Sequence, residues 1–136
     1  QAPFTALMTI ANGESKITET IFENRMNHIY LLNEMGASIK LNKNVAHIKG
    51  VKTINGMNLV GSDLRSSAAL IIAGIIAKGS SKIYGLEHLD RGYENFELKL
   101  KNLGIKITRE VSKSTFEKNE YKIKTKSEKL SKLEAA

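Results

Sequence analysis

The sequence predicts an α/β fold made of repeated helix–strand units, and three observations predict it. Short alternating stretches rich in β-branched residues take turns with helical apolar stripes, most of them closed by a glycine. The pattern repeats: Ala11-Asn-Gly-Glu-Ser-Lys-Ile17 matches Ala77-Lys-Gly-Ser-Ser-Lys-Ile83 at an offset of 66, and Asn24-Arg25 matches Asp90-Arg91 at the same offset. Between the copies, the polar turn at residues 61–67 opens directly into the most apolar run of the chain, residues 68–77. Strands that alternate with helices bury a sheet face under them, which defines the α/β (α+β) class.

The elements follow in order. Pro3 suits the first turn of a helix whose stripe is Phe4, Leu7, Met8, Ile10 and Ala11, ended by Asn12-Gly13. Residues 16–22 (KITETIF) alternate and read as a strand. Asn24 is the expected cap of a second helix with the stripe Met26, Ile29, Tyr30, Leu32, Asn33 and Met35, stopped by Gly36. Residues 38–41 and 45–48 alternate on either side of the turn Asn42-Lys43-Asn44. Asn55-Gly56 is a hairpin signal, so residues 45–60 read as a hairpin linking the two copies. Ser62 or Asp63 caps the next helix, because a short side-chain oxygen accepts from a free N–H of the first turn. Its apolar run of 10 residues is too short to span a bilayer and reads as a buried core helix. Residues 81–86 form a strand and residues 87–92 a polar turn. Tyr93, Phe96, Leu100 and Leu103 form the stripe of a helix ended by Gly104, and residues 105–108 form a strand.

The body is thus residues 1–110, with two related repeats at about 1–44 and 63–110. Residues 111–136 carry 7 Lys against 4 Glu and read as a charged extension, flexible or helical near residues 127–135, with residues 123–126 as an alternative short strand. The chain of 136 residues is 41% hydrophobic, enough for a sizeable core, and only 6% aromatic, so that core is aliphatic. With no cysteine, disulfides, thiolate metal ligands and thiol nucleophiles are excluded. His28, His47 and His88 lack metal-ligand spacing, and no metal is expected. The net charge of +7 invites a nucleic-acid reading, but +3 of it lies in the extension; a modest excess also suits phosphorylated or carboxylated substrates.

Arginine is scarce, 4 against 17 Lys, and Arg25, Arg65 and Arg91 are each expected at a helix start. Helix starts offer free N–H groups to anions, and Arg adds a charged, bidentate partner for carboxylate or phosphate. The plainer reading of each is an ion pair with Glu23, Asp63 or Asp90. Asp63 reads as a helix cap, and Asp90 as a partner of Arg91 or a cap. Ile21 and Phe22 read as a strand end that either packs or touches a ligand. The default for His28 is a solvated or core-edge residue, and for Tyr93 the core.

Three ordered motifs resemble the C-terminal part of the UDP-N-acetylglucosamine 1-carboxyvinyltransferases, a family of enolpyruvyl transferases: Ile17-Thr-Glu-Thr-Ile-Phe-Glu-Asn-Arg-Met-Asn-His28, Ser62-Asp-Leu-Arg-Ser-Ser-Ala68 and His88-Leu-Asp-Arg-Gly-Tyr-Glu94. The resemblance covers about residues 1–110. It implies a partial inside-out α/β barrel domain built from repeated βαβαββ units. It also implies transfer of the enolpyruvyl group of phosphoenolpyruvate to the 3-hydroxyl of UDP-N-acetylglucosamine, releasing phosphate, in cytoplasmic peptidoglycan precursor synthesis. By motif match, Arg91, Arg65 and Asp63 would act in catalysis, with Arg91 near phosphoenolpyruvate and Asp63 as the tether. Ile21, Arg25 and Phe22 would bind substrate. No cofactor, nucleic acid or membrane partner is implied.

The departures from the family are in what surrounds these motifs. Its members are longer. Their Lys-Asn pair and Cys-bearing loop have no match here, and their catalytic Asp would fall just before Gln1. The chain is therefore expected to be a fragment, inactive without an N-terminal catalytic domain. Two alternatives stay open. One is a fragment of the sibling enzyme, 3-phosphoshikimate 1-carboxyvinyltransferase. The other is a basic binding module without catalysis.

Overall fold

The computed structural model describes residues 1–110 and 120–124. The first half contains α1 (Ala2–Met8), β1 (Glu14–Thr18), α2 (His28–Glu34), β2 (Ser38–Asn42) and β3 (Val45–Lys49). The second contains β4 (Asn58–Val60), α3 (Leu64–Ile76), β5 (Ser80–Tyr84), α4 (Leu86–Asp90), α5 (Phe96–Asn102), β6 (Ile107–Glu110) and β7 (Glu120–Lys124).

The two halves share one plan. β3 lies between β1 and β2 and runs antiparallel to both, pairing Thr18 and Asn42 with Val45. β7 lies between β5 and β6 in the same way, pairing Tyr84 and Glu110 with Glu120. β4 adds a parallel strand outside β5. β1 and β5 occupy the positions that the offset of 66 relates. The glycines before them, Gly13 and Gly79, both take positive φ, +107° and +93°.

Helices lie inside and sheets outside. α1 packs on α3, α1 also meets β3, and α3 meets β5 and β7. Each sheet buries one face, as in β3, where Ala46 and Ile48 are buried while His47 and Lys49 face out. α3 touches neighbours nearly all round, which is why its sequence is apolar nearly all round: Ala69, Leu70, Ile71 and Ala73 are fully buried. Burying side chains such as Leu70 and Ile71 stabilises the fold by about 1.5–3 kcal/mol each. The two sheets share no strand and no closed barrel forms among the described residues, as a partial domain requires. Among the same residues, no helix is long and apolar enough to cross a membrane.

Several expectations need correction. The face α1 buries is Ala2, Thr5, Ala6 and Thr9, while Phe4 and Leu7 are exposed. Small residues let the α1 backbone approach α3 closely, so the larger stripe points away. Asn55-Gly56 makes no hairpin: β3 and β4 lie in different sheets, and the segment between them crosses over. Gly56 is there for close approach, since a Cβ would stand 2.3 Å from the Ser80 carbonyl oxygen. The strand expected over residues 16–22 ends at Thr18, and α2 starts at His28, with Asn24 outside it at φ +60°. The polar turn at residues 87–92 is largely helix α4, anchored by buried Leu86 and Leu89. Tyr30, Tyr93 and Leu103 are exposed rather than core. β7 completes the second sheet from within the stretch read as an extension; the helix expected near residues 127–135 lies outside the described residues.

Candidate functional site

The loop after β1 is built by two side chains. Glu19, nearly buried, accepts from the Ile21 N–H at 2.9 Å and the Phe22 N–H at 3.4 Å through one carboxylate oxygen. The Ile21 bond holds its carboxyl below the usual 4.5, helped by the Phe22 bond and the Arg25 charge and opposed by burial. Asn44 clamps the loop from the β2–β3 turn. Its amide donates to the Glu19 carbonyl at 2.5 Å, and the Glu19 N–H donates back to the Asn44 carbonyl at 2.9 Å. The loop so held presents Ile21, 77% exposed, and Phe22, 51% exposed, to solvent. Arg25 lies across the Phe22 ring, its guanidinium carbon 3.4 Å from the centroid, a cation–π contact. The Gln1 amide donates to the Arg25 carbonyl at 3.0 Å. Ile21, Phe22, Arg25, Tyr30, Lys43 and Asn44 line an open cleft of about 610 Å³.

A second corner forms at the start of α3. Asp63 is extended and its Oδ1 accepts from the Arg65 and Ser66 N–H groups, both at 2.9 Å, while Ser62 Oγ donates to Oδ2 at 3.2 Å. Such a cap contributes about 1 kcal/mol. Arg65 is exposed in that first turn. Arg91 is exposed at the C-cap of α4. The next residue, Gly92, packs on Leu64, where a Cβ would lie 2.7 Å from Leu64 Cδ2. The Leu64–Gly92 contact therefore sets Arg65 and Arg91 on either side of one junction.

Between the two corners sits His28, 1% exposed, its Nε2 without a hydrogen-bond partner. Burial pushes its pKa down from 6.5 to about 4; the Asp63 carboxylate and the Arg25 carbonyl pull it up, and the N-terminal amine pushes it down.

Of the residues singled out from sequence, Ile21, Phe22 and Arg25 share the cleft; Asp63, Arg65 and Arg91 do not line it. The helix-start rule holds for Arg65 alone. Arg25 precedes α2 by a loop and Arg91 ends a helix instead of beginning one. Among the described residues, none of the three forms an ion pair within 4 Å. Asp90 pairs with Arg109 instead, through bonds of 2.9 and 2.5 Å. Glu19 and Asn44 carry no signal in the sequence, because their roles depend on backbone groups, and His28 is buried, not solvated or at the core edge. Its one signal was position: His28 falls three residues after Arg25 and opens a helix.

The family model for EPSP synthase (3-phosphoshikimate 1-carboxyvinyltransferase) matches residues 1–100. Over all 136 residues the chain is 90% identical to the UDP-N-acetylglucosamine 1-carboxyvinyltransferase of Prochlorococcus marinus (strain AS9601), and 84% to that of strain MIT 9312. It spans 30% of the length of each. A relative of the same name from Trichormus variabilis is 51% identical over 109 residues, 80% of this chain and 24% of its own length. Among solved structures, the enolpyruvyl transferase NikO from Streptomyces tendae aligns over 74% of this chain and 24% of its own, with a TM-score of 0.68 and 27% identity. EPSP synthase from Acinetobacter baumannii aligns over 92% of this chain and 28% of its own, with a TM-score of 0.65; at 16% identity it speaks for the fold alone. The chain belongs to the EPSP synthase (3-phosphoshikimate 1-carboxyvinyltransferase) family, of which it is a fragment.

Proposed function

We propose that the chain is the part of a UDP-N-acetylglucosamine 1-carboxyvinyltransferase that supplies cationic side chains to an anionic substrate cleft. The reaction moves the enolpyruvyl group of phosphoenolpyruvate to the 3-hydroxyl of UDP-N-acetylglucosamine and releases phosphate, in cytoplasmic peptidoglycan precursor synthesis. Both substrates are polyanions. The reading is carried by one observation: Arg25, Arg65 and Arg91 form no ion pair within 4 Å among the described residues, so their guanidinium forks are available to a ligand. Fixed cations around a dense anion stabilise developing charge without a metal.

In this reading Ile21, Phe22 and Arg25 hold the nucleotide-sugar along the cleft. Arg65 and Arg91 face phosphoenolpyruvate, and Asp63 fixes the backbone under Arg65. The remainder of a protein of the relatives' length would supply the opposite wall and the general base. The body ends at about residue 110, with β7 returning from the extension to close the second repeat.

The test is turnover of phosphoenolpyruvate with UDP-N-acetylglucosamine. The chain alone should give none. The full-length Prochlorococcus marinus relative carrying this chain in place of its matched segment should turn over. Arg25→Ala, Arg65→Ala and Arg91→Ala in that protein should each lower kcat/KM about tenfold or more, the range of a lost charged hydrogen bond. Turnover by the chain alone, or kcat/KM unchanged in all three variants, would refute the reading. The family model bears the name of the shikimate enzyme; preferential binding of shikimate 3-phosphate by the same protein would move the assignment there.

A further inference from the structure

We infer that Glu19 is a positioning residue for the nucleotide-sugar: its side chain, set by Asn44, holds the backbone that presents Ile21, Phe22 and Arg25 to the cleft. The inference rests on the reading of those three residues as the ones that hold the nucleotide-sugar. Residues 19–27 join β1 to α2. Among the described residues, the Ile21 and Phe22 N–H groups donate to no backbone carbonyl. Glu19 Oε1 takes both instead, at 2.9 and 3.4 Å, so the path of the chain there is set by a side chain. Glu19 is itself fixed twice by Asn44, whose amide donates to its carbonyl and whose carbonyl accepts its N–H. The contacts continue to the charge. Phe22, held through its N–H, carries the Arg25 guanidinium 3.4 Å from its ring centroid, and the Gln1 amide holds the Arg25 carbonyl at 3.0 Å. From the β2–β3 turn to the arginine, every link is a direct contact.

The repeated unit does not require this carboxylate. At the offset of 66 the counterpart of Glu19 is Gly85, and there the chain turns by backbone conformation alone, at φ +78°, directly into α4. The second repeat thus leaves its strand and starts a helix with no side chain at that position. In the first repeat the carboxylate holds a loop that leaves Ile21 and Phe22 in water, which forgoes the burial of two large apolar side chains. A nearly buried glutamate that keeps apolar residues exposed beside a cleft serves contact with a ligand, not packing of the fold.

Glu19→Ala removes the acceptor, Glu19→Gln keeps an acceptor oxygen of the same reach, and Asn44→Ala removes the donor that sets Glu19. All are made in the full-length Prochlorococcus marinus relative carrying this chain, with KM for each substrate, kcat and melting temperature measured together. Glu19→Ala should raise KM for UDP-N-acetylglucosamine about tenfold and Asn44→Ala about threefold, while Glu19→Gln stays within about twofold of the parent. KM for phosphoenolpyruvate and kcat should change less than KM for the nucleotide-sugar in every variant. Should Glu19→Ala fail to fold, Asn44→Ala decides on the same comparison of the two KM values. KM for UDP-N-acetylglucosamine unchanged in the deciding variant overturns the inference. So does an equal rise in both KM values, which a merely structural loss would give, or Glu19→Gln no better than Glu19→Ala. Phe22→Ala and Arg25→Ala separate the two levels. If both leave KM unchanged, the reading of the cleft has failed; if they raise KM while the Glu19 and Asn44 variants do not, only the role of Glu19 has.

Discussion

The two repeats set the same strands to different uses. Both place a third strand between two antiparallel partners, and both precede their first strand with a positive-φ glycine. They part company in the loop that follows. After β1 the chain stays open, held by Glu19 and Asn44, and leaves Arg25 lying on Phe22 beside the cleft. After β5 the equivalent stretch winds into α4, and Asp90, the counterpart of Asn24, is bound to Arg109. Arg91 is thereby left at the end of a helix, exposed and without an ion pair among the described residues. A cation there is favoured by the C-terminal end of the helix dipole, whereas Arg65 in the first turn of α3 stands against it. One scaffold thus presents an arginine in two electrostatic settings, and the choice is made by the loop, not the sheet.

The largest expected break between the repeats comes with acid. α2 opens with buried His28, while α5, its counterpart, opens with Phe96, which does not titrate. The folded His28 has a pKa of about 4 against 6.5 unfolded, so it is neutral where the unfolded chain would take up a proton. Its stabilising contribution is full above pH 6.5 and drains as the pH falls from 6.5 to 4, by about 3 kcal/mol at roughly 1.4 kcal/mol per unit. Of the other groups that act on the ring, Asp63 and the Arg25 carbonyl favour protonation and the N-terminal amine opposes it. Glu19, with its carboxyl held below 4.5, loses its contribution only at lower pH still. Urea denaturation at pH 7 and pH 4.5 should show the loss, and His28→Phe, which copies the second repeat, should flatten it. A pH-independent midpoint in the parent chain would contradict the burial of the ring.

The next effect should be equal in the two repeats. Gly13 and Gly79 have open space around the position of a Cβ, so only the backbone resists substitution, at φ +107° and +93°. Ala at either position should cost about 1–2 kcal/mol. Denaturation midpoints for Gly13→Ala and Gly79→Ala that differ by more than twofold in free energy would mean that the strands they introduce are not equivalent in the folded chain.

That equivalence was legible in the sequence because it rests on local chemistry: a glycine, an alternating strand, an apolar stripe. The Asp63 cap and the buried run behind it were legible for the same reason. What escaped depends on partners far along the chain. β7 is legible only as an alternative short strand at residues 123–126, later than its true bounds of 120–124, because lysines alternate through a charged stretch and its place between β5 and β6 is a tertiary fact. α1 was read inside out because its small residues, not its large ones, meet α3. The site divided along the same line. Arg25, Arg65 and Arg91 stood out by scarcity, but the ion pair that holds Asp90 away from Arg91 joins residues 19 positions apart.

That ion pair sets the smallest expected effect and the closest test of why the loops differ. Asp90 and Arg109 meet in two parallel hydrogen bonds, geometry that favours a measurable contribution. Their side chains are 39% and 24% exposed, so water screens the charges and Glu97, 3.9 Å from Arg109, remains as a second partner. Asp90→Asn, which gives the second repeat the residue type of Asn24, should therefore cost only about 0.5–1 kcal/mol. The loss should shrink in 1 M salt, where the screening length falls to about 3 Å. The more informative readout is amide hydrogen exchange. If the pair is what closes the second loop, exchange over residues 86–95 should rise in Asp90→Asn while exchange over residues 19–27 stays as it was. Unchanged protection at residues 86–95 would assign the closed loop to buried Leu86 and Leu89 instead, and the difference between the repeats would then lie in two leucines rather than in one pair of charges.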